Sequence, residues 1–498
     1  MASITEPSSL GPSGTADTSK RPIVLASIML ATFMVAMEAT IVATAMPRIV
    51  GQLGGFAFYS WVFSAYLLAQ CTMTLIFGKL SDVFGRRPVM IAGLLVFLAG
   101  SLLAGFAGSM AWLIGFRLVQ GIGAGAIQPM TITMIGDLYT PAERAKVQGV
   151  VASVWTAAAV LGPLAGGIIV DQLSWGWIFW INLPIGAVTI AGFAAFPREK
   201  FSSRAARIDY LGAVLFAIAI VSFLFILTAT GLSASSSIAL AITCVAAAIL
   251  FVLQELRASE PMISIALWRG RLMATSNTAS FLAGMALVGV TTVLPLYVQG
   301  VMNRTPVTAG FTLTALIVGW TLALTLSSYF FKTFGVRKTL RIGSPTLPIG
   351  AAVLLFLAPE GSTILASVGS LAMGIGMGLI SITSIVLVQE SVERSARGSA
   401  TSSIIFSRSL GNALGATVIG AILALGMTHL GHGARSDDLH RLLNEPAGLA
   451  DLASDPGLRA VFDAALHWSF WGIFVVATLA FAAAWLFPMS PDAARRSA

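Results

Sequence analysis

Apolar residues run along this chain in stretches of roughly 20, the length an α-helix needs to cross a bilayer, with short polar segments between them. The reading predicts about fourteen such helices. The first six lie at 23–46, 60–78, 88–107, 112–134, 146–170 and 176–196. Two follow at 208–231 and 237–256, and the last six at 272–299, 307–331, 338–357, 363–389, 399–427 and 466–487. A barrel strand would be about half as long and would alternate apolar with polar residues. The expected fold is therefore all-α and polytopic.

Composition agrees, because 57% hydrophobic and 10% charged residues exceed what a soluble core absorbs. Residues 1–22, rich in Ser, Thr, Gly and Pro, read as a flexible tail, and 488–498 as a second one. No small-residue cleavage site closes the first apolar run, so it is expected to remain as a span. Cys71 and Cys244 fall inside spans, where they serve most simply as small packing residues. The longest hydrophilic stretch, 428–465, is a connection or a lid over one mouth.

A formal charge of +8 suggests a nucleic-acid partner until its distribution is considered. Arg117 and Arg408 lie within spans. Every other Lys and Arg except Arg48, Arg304, Arg435, Arg441 and Arg459 falls on the side of the N-terminus. Positive loops mark the cytoplasmic face, so both termini are expected inside a cell membrane, and no nucleic acid is implied.

A shift of 253 residues carries Gly121 in GIGAGAIQP onto Gly374 in GIGMGLISI. The same shift carries Arg144 onto Arg397, Gly162 onto Gly415 and Gly167 onto Gly420. A shift of 250 relates GKLSDVFGRRP, from Gly78, to SYFFKTFGVRK, from Ser328. This pattern predicts two homologous six-helix bundles, 23–200 and 272–487, with an inserted two-helix hairpin at 208–256.

Charges inside spans are expensive in hydrocarbon and are functional candidates by default. Glu38 stands in the outer half of the first span, within FMVAMEATIVATAMPRIV, and is the one carboxylate well inside the membrane. Removed from water it favours its neutral form, which an arginine close by would oppose. Arg117 begins RLVQGIGAGA, and Gln120, Gly121 and Ala124 follow it on one helical face suited to the bundle interior. Arg117 near a span end can instead snorkel to the interface. Arg408 with Asn412 forms a weaker pair of the same spacing, for which a structural hydrogen-bonding role serves equally.

In the loop GKLSDVFGRRP, Gly78 and Gly85 permit tight turns, Arg86 and Arg87 anchor the interface, and Asp82 can latch to an arginine or a helix N-terminus. GIGAGA lies within an apolar helix with no strand before it, so close packing explains it better than dinucleotide binding. His429 and His432 have a metal-compatible spacing without a closed ligand set, so no metal is expected. No GxxxxGK[ST] segment appears, which leaves an ion gradient as the energy source; no cofactor is expected.

GKLSDVFGRRP resembles the signature loop of the major facilitator superfamily, and RLVQGIGAGA resembles its arginine-bearing motif, with Arg117 at the matching position. AAVLGPLAGG, from Ala158, is similar to the antiporter motif, with Gly162, Pro163, Gly166 and Gly167 in place. YSWVFSAYLLAQ, from Tyr59, and WIFWINLPIG, from Trp177, resemble the fourteen-span drug:proton antiporter branch. There are departures: glutamate stands where that branch has aspartate, Ala158 replaces the first motif glycine, and Gly176 replaces an arginine between two tryptophans.

The resemblance implies efflux by alternating access, with protons as the coupling ion and a lipophilic, cationic or neutral small molecule as substrate. Glu38 and Arg117 would couple proton to substrate, and Trp61, Tyr66, Gln70 and Gln120 are candidate cavity residues. Export of an endogenous amphipathic metabolite or lipid is the alternative, and a non-transporting sensor or scaffold is a third class. No enzymatic activity is implied.

Overall fold

The computed structural model describes residues 21–139, 141–193, 209–228, 234–258, 270–392, 397–430 and 456–488. The first helices are α1 (Arg21–Leu53), α2 (Tyr59–Phe84), α3 (Arg86–Ala104), α4 (Met110–Leu138) and α5 (Pro141–Gln172). Two shorter ones follow, α6 (Trp177–Trp180) and α7 (Asn182–Phe193), then α8 (Tyr210–Thr228) and α9 (Ala234–Arg257). The remainder are α10 (Arg271–Leu296), α11 (Pro306–Phe334), α12 (Val336–Gly343), α13 (Thr346–Leu354), α14 (Thr363–Ser391), α15 (Arg397–Leu430) and α16 (Pro456–Trp485). Among the described residues, eleven helices are long and apolar enough to cross a membrane. Of the predicted tails 1–22 and 488–498, residues 1–20 and 489–498 lie outside the described ones, whereas Arg21 and Pro22 already belong to α1.

Side-chain caps fix several starts. The Ser109 hydroxyl accepts from Trp112 N–H at the head of α4, Thr305 from Thr308 N–H ahead of Pro306 on α11, and Ser362 from Ile364 N–H on α14. The single span expected at 338–357 is instead broken into α12 and α13, because Pro345 brings no N–H and crowds the residue before it. Beyond Pro295 the helix widens to a π turn over Tyr297–Val301, for the same lack of a donor.

The stretch 428–465 also differs from expectation: α15 runs on to Leu430 and α16 begins at Pro456, so only 431–455 lies outside the described residues. Charged residues enter α16 because they find partners there. His467 engages the Asp463 carbonyl and the Leu357 carbonyl, and Arg459 Nε donates to Val301 O at 2.7 Å.

Packing partners sort by chain order into a first third, α1–α7, and a last third, α10–α16, with α8 and α9 between them. Helix α1 lies against α5 and α7, α2 against α4, and α3 against α4 and α7; α10 lies against α15 and α16, and α14 against α11 and α13. Helices α8 and α9 pair with each other and lean on α15 and α2. Only 6% of the α9 span is buried, so its Ile238, Ile242, Val245 and Ile249 face outward as a lipid-facing surface must. The seams between the two thirds are α5 with α11 and α2 with α15, joined by lighter contacts of α1 with α10 and α11.

Contacts repeat as the sequence echo does. Gly121 packs on the Tyr66 carbonyl and Gly374 on the Leu316 carbonyl; Gly125 packs against Gln70 O and Met73, and Gly378 against Trp320 O and Ala323. Gly85 ends α2 at φ 86° and Gly335 ends α11 at φ 79°, a conformation that only glycine takes without strain. A methyl at Gly121 or Gly374 would press on backbone. Gly121→Ala and Gly374→Ala are each expected to cost about 1–3 kcal/mol in thermal unfolding of the detergent-solubilised protein. Gly115, with nothing within 4 Å of an added Cβ, is the control: Gly115→Ala should be neutral or stabilise by up to about 1 kcal/mol.

Among the described residues, four hydrogen bonds join the two thirds. The Tyr59 hydroxyl donates to Thr292 O at 2.9 Å and Gln299 Nε2 to Thr44 O at 3.2 Å. Ser64 meets Thr417 at 2.6 Å and Thr156 meets Thr321 at 3.1 Å. The first three lie toward the end of the bundle away from the N-terminus of α1, and the last lies midway along α5.

Candidate functional site: a buried ion pair among α1, α4 and α7

Because α1 continues to Leu53, Glu38 sits near the middle of the helix rather than toward one end, as the shorter predicted span had it. Helix α4 begins at Met110, which sets Arg117 two turns inside, with Gln120 one turn further. Asn182 opens α7, and Ser101 comes from α3. These side chains meet. Arg117 Nη1 donates to Glu38 Oε1 at 2.5 Å and to Gln120 Oε1 at 2.6 Å, while its Nε donates to Val62 O at 3.2 Å. Asn182 Nδ2 donates to the other carboxylate oxygen at 2.9 Å. Gln120 Nε2 donates to the Ser101 hydroxyl at 2.7 Å, and the Tyr66 ring lies 4.1 Å beneath the guanidinium carbon.

Glu38, Gln120 and Asn182 are completely shielded and Arg117 is 2% exposed. Each carboxylate oxygen has a donor and the guanidinium has three acceptors' worth of partners, the condition under which a buried pair is tolerated. Arg117 therefore does not snorkel. The network is held from both sides: Tyr66 stacks under the cation on α2, and its own hydroxyl is buried with no hydrogen-bond partner.

Of the predicted cavity residues, Tyr66 and Gln120 belong to this cluster. Gln70, partly buried one turn along α2, forms no hydrogen bond with it. Trp61 is set apart: its ring packs 4.9 Å from Phe225 of α8, against the hairpin. Asn182 and Ser101 were not singled out in the sequence. The signal was available for Asn182, since an amide inside WIFWINLPIG is itself a costly group in hydrocarbon.

The AAVLGPLAGG segment lies one turn away from Glu38 on the neighbouring helix. Gly162 faces Thr40 Oγ1 and Gly166 faces Ile41, both on α1, and a Cβ added at Gly166 would lie 3.0 Å from Ile41. Gly167 faces Val307 and Pro163 faces Gly310, both on α11. One turn of α5 thus touches α1 on one side and the opposite third on the other. In the loop motif, Gly78 has open space around it, Gly85 forms the turn, and Arg86 and Arg87 begin α3, partly buried. The Asp82 side chain lies outside what is described.

A second intramembrane arginine stands in the last third. Arg408 of α15 donates from Nη1 to the Ser381 hydroxyl of α14 at 2.9 Å, and its guanidinium carbon lies 5.5 Å from the Trp320 ring of α11. Asn412, four residues on, does not bond to it; its Oδ1 is buried without a partner.

Residues 28–416 match the family model described as Major Facilitator Superfamily. The chain is 33% identical over 409 residues to the multidrug transporter protein MdtP of Bacillus subtilis (strain 168), covering 81% of this chain and 76% of that one. It is 35% identical over 412 residues to multidrug resistance protein 3 of the same organism, covering 82% and 80%. Among solved structures, a bacterial homolog to the human lysosomal transporter Spinster superposes with a TM-score of 0.66 at 16% identity, over 95% of this chain and 98% of that one. That likeness concerns the fold.

Proposed function

The chain belongs to the major facilitator superfamily, and from that membership we propose that it is a proton-coupled antiporter exporting lipophilic small molecules from the cell by alternating access. The multidrug relatives support efflux, and the observation that carries the coupling is the buried Glu38–Arg117 pair with Asn182 on the second carboxylate oxygen. Eleven long helices, the shorter apolar helices Trp177–Phe193 and Leu211–Phe223, and the broken segment 336–354 fit fourteen spans. Within them, 23–200 and 272–487 form two bundles and 208–256 the inserted hairpin. With both termini in the cytoplasm, the end carrying three of the four joining hydrogen bonds is the outer one, and it is closed.

Protonation of Glu38 removes the charge that holds Arg117, leaving the cation to Gln120, Val62 O and the Tyr66 ring. The contact between α1 and α4 then loosens. Thr40 and Ile41 on α1 press on Gly162 and Gly166, so a shift of α1 reaches α5 and its seam with α11. Proton and substrate must weaken each other's binding by the same factor, since coupling free energy is reciprocal. In the closed-outside state Glu38 already has donors on both oxygens. It is no free counter-charge, which favours neutral substrates ahead of monocations and disfavours dications.

The test uses inverted membrane vesicles with an imposed pH gradient. Adding a neutral lipophilic dye should release protons through the wild type and not through Glu38→Gln, while Glu38→Asp, which keeps the charge, should retain part of the response. Undiminished proton-coupled transport by Glu38→Gln would sink the mechanism.

A further inference from the structure

The two arginines inside the membrane are held alike and neutralised differently. In the first bundle Tyr66 of α2 stacks under Arg117, and Glu38 supplies the opposite charge. In the second, Trp320 of α11 lies against Arg408; it occupies the place that the 250-residue shift assigns to Gln70 of α2, one turn from Tyr66. Ser381 supplies a neutral acceptor. Among the described residues no carboxylate pairs with Arg408. A cation held there by a hydroxyl and an aromatic face remains uncompensated, because neither partner carries charge.

Its location says what can reach it. Helices α11 and α15 carry the main contacts that cross to the first bundle, α11 to α5 and α15 to α2, beside their packing on α14 and α10. A guanidinium on α15 that reaches an indole on α11 and a hydroxyl on α14 bridges the two helices that carry those crossing contacts. Thr321, next to Trp320, touches Thr156 of α5 across that same space. Arg408 and Trp320 are both only partly buried, unlike the sealed Arg117.

We propose that Arg408, with Trp320 and Ser381, is a substrate subsite that receives an acidic group, so that the exported compounds include amphiphiles bearing a carboxylate or phosphate. The substrate supplies the counter-charge that Glu38 supplies in the other bundle. Its apolar body lies against Trp320, and its oxygens accept from the guanidinium fork, a geometry that suits planar oxyanions. This deepens the export reading and rests on it, but binding can be read without transport.

The experiment uses the purified full-length protein in detergent with no gradient, titrated with two amphiphiles that share one apolar body and end in a carboxylate or in a primary amide. Binding is followed by tryptophan fluorescence and by the shift in Tm. Wild type should bind the carboxylate about tenfold tighter or more, the scale of a hydrogen bond to a charged group. Arg408→Gln should bring the two affinities together, and a cooperative thermal transition shows that the variant is folded. Arg408→Lys, which keeps the charge without the fork, should fall between and carries the comparison if Arg408→Gln does not accumulate. Glu38→Gln should keep the carboxylate preference, so a failure of proton coupling is told apart from a failure of this subsite. Equal affinities in wild type, or a preference that survives Arg408→Gln, overturn the proposal. So does stabilisation by phosphatidylglycerol with none by the carboxylate amphiphile, which makes Arg408 a lipid contact.

Discussion

Arg117→Met should lower the stability of the folded protein by about 3–5 kcal/mol, the cost of leaving one member of a buried ion pair behind. Glu38 would keep only Asn182, and both Gln120 Oε1 and Val62 O would lose a donor in a region without water. Part of the penalty can be relieved by neutralising the orphan. The double variant Glu38→Gln/Arg117→Met should recover well over half of the loss, because replacing both partners removes the uncompensated charge. Thermal unfolding of the four proteins in one detergent closes a double-mutant cycle, with an expected coupling of the order of 2–3 kcal/mol for groups in direct contact. Arg117→Lys should fall between, since an ammonium cannot reach Glu38, Gln120 and Val62 O from one planar fork. Additive losses in the double variant would show that the pair is not a unit.

Gly167→Leu should leave the protein folded and abolish transport by wedging the outer seam. A Cβ at Gly167 runs into Val307 at the start of α11, with Pro163 and Gly310 meeting just below. Overpacking of this kind costs about 1–3 kcal/mol. It burdens only the conformation in which α5 and α11 are in contact, so under the proposed alternating access the population moves toward the form in which they part, roughly tenfold for each 1.4 kcal/mol. Gln299, whose amide bridges to Thr44 O across the same end, reports the change. In a Cys71→Ser/Cys244→Ser background, Gln299→Cys should react with a membrane-impermeant thiol reagent about tenfold faster or more when Gly167→Leu is present. Equal rates, or wild-type transport by Gly167→Leu, would remove the seam from the transport cycle.

The arginines show how far the sequence reaches. Both Arg117 and Arg408 stand out in it, since a charge in a long apolar run is costly wherever it lies. Glu38 stands out for the same reason. That Glu38 meets Arg117, 79 residues away, and that Arg408 meets no carboxylate among the described residues, depends on which helix faces pack together, and local pattern does not encode that. Asn182 belongs to the same class of signal as Glu38, but an uncharged amide among ten mostly apolar residues is easily passed over. Trp61 is a different case: an aromatic at a helix entry reads as a cavity or interface residue, and only the position of α8 brings its ring against Phe225.

The sequence by itself determined that the chain is helical and membrane-spanning, where most helices run, that its first and last thirds echo each other, and which few side chains hydrocarbon makes expensive. Those properties rest on residue-by-residue transfer energies and on spacing, which are local. Tertiary structure decided the break at Ser344–Pro345 and the early start of α16, where Arg459 and His467 find backbone acceptors. It decided which hydrogen bonds join the first and last thirds, and which of the two intramembrane arginines is compensated. Compensation is a property of a pair of groups, and in this chain the members of each pair lie on helices that only packing brings together.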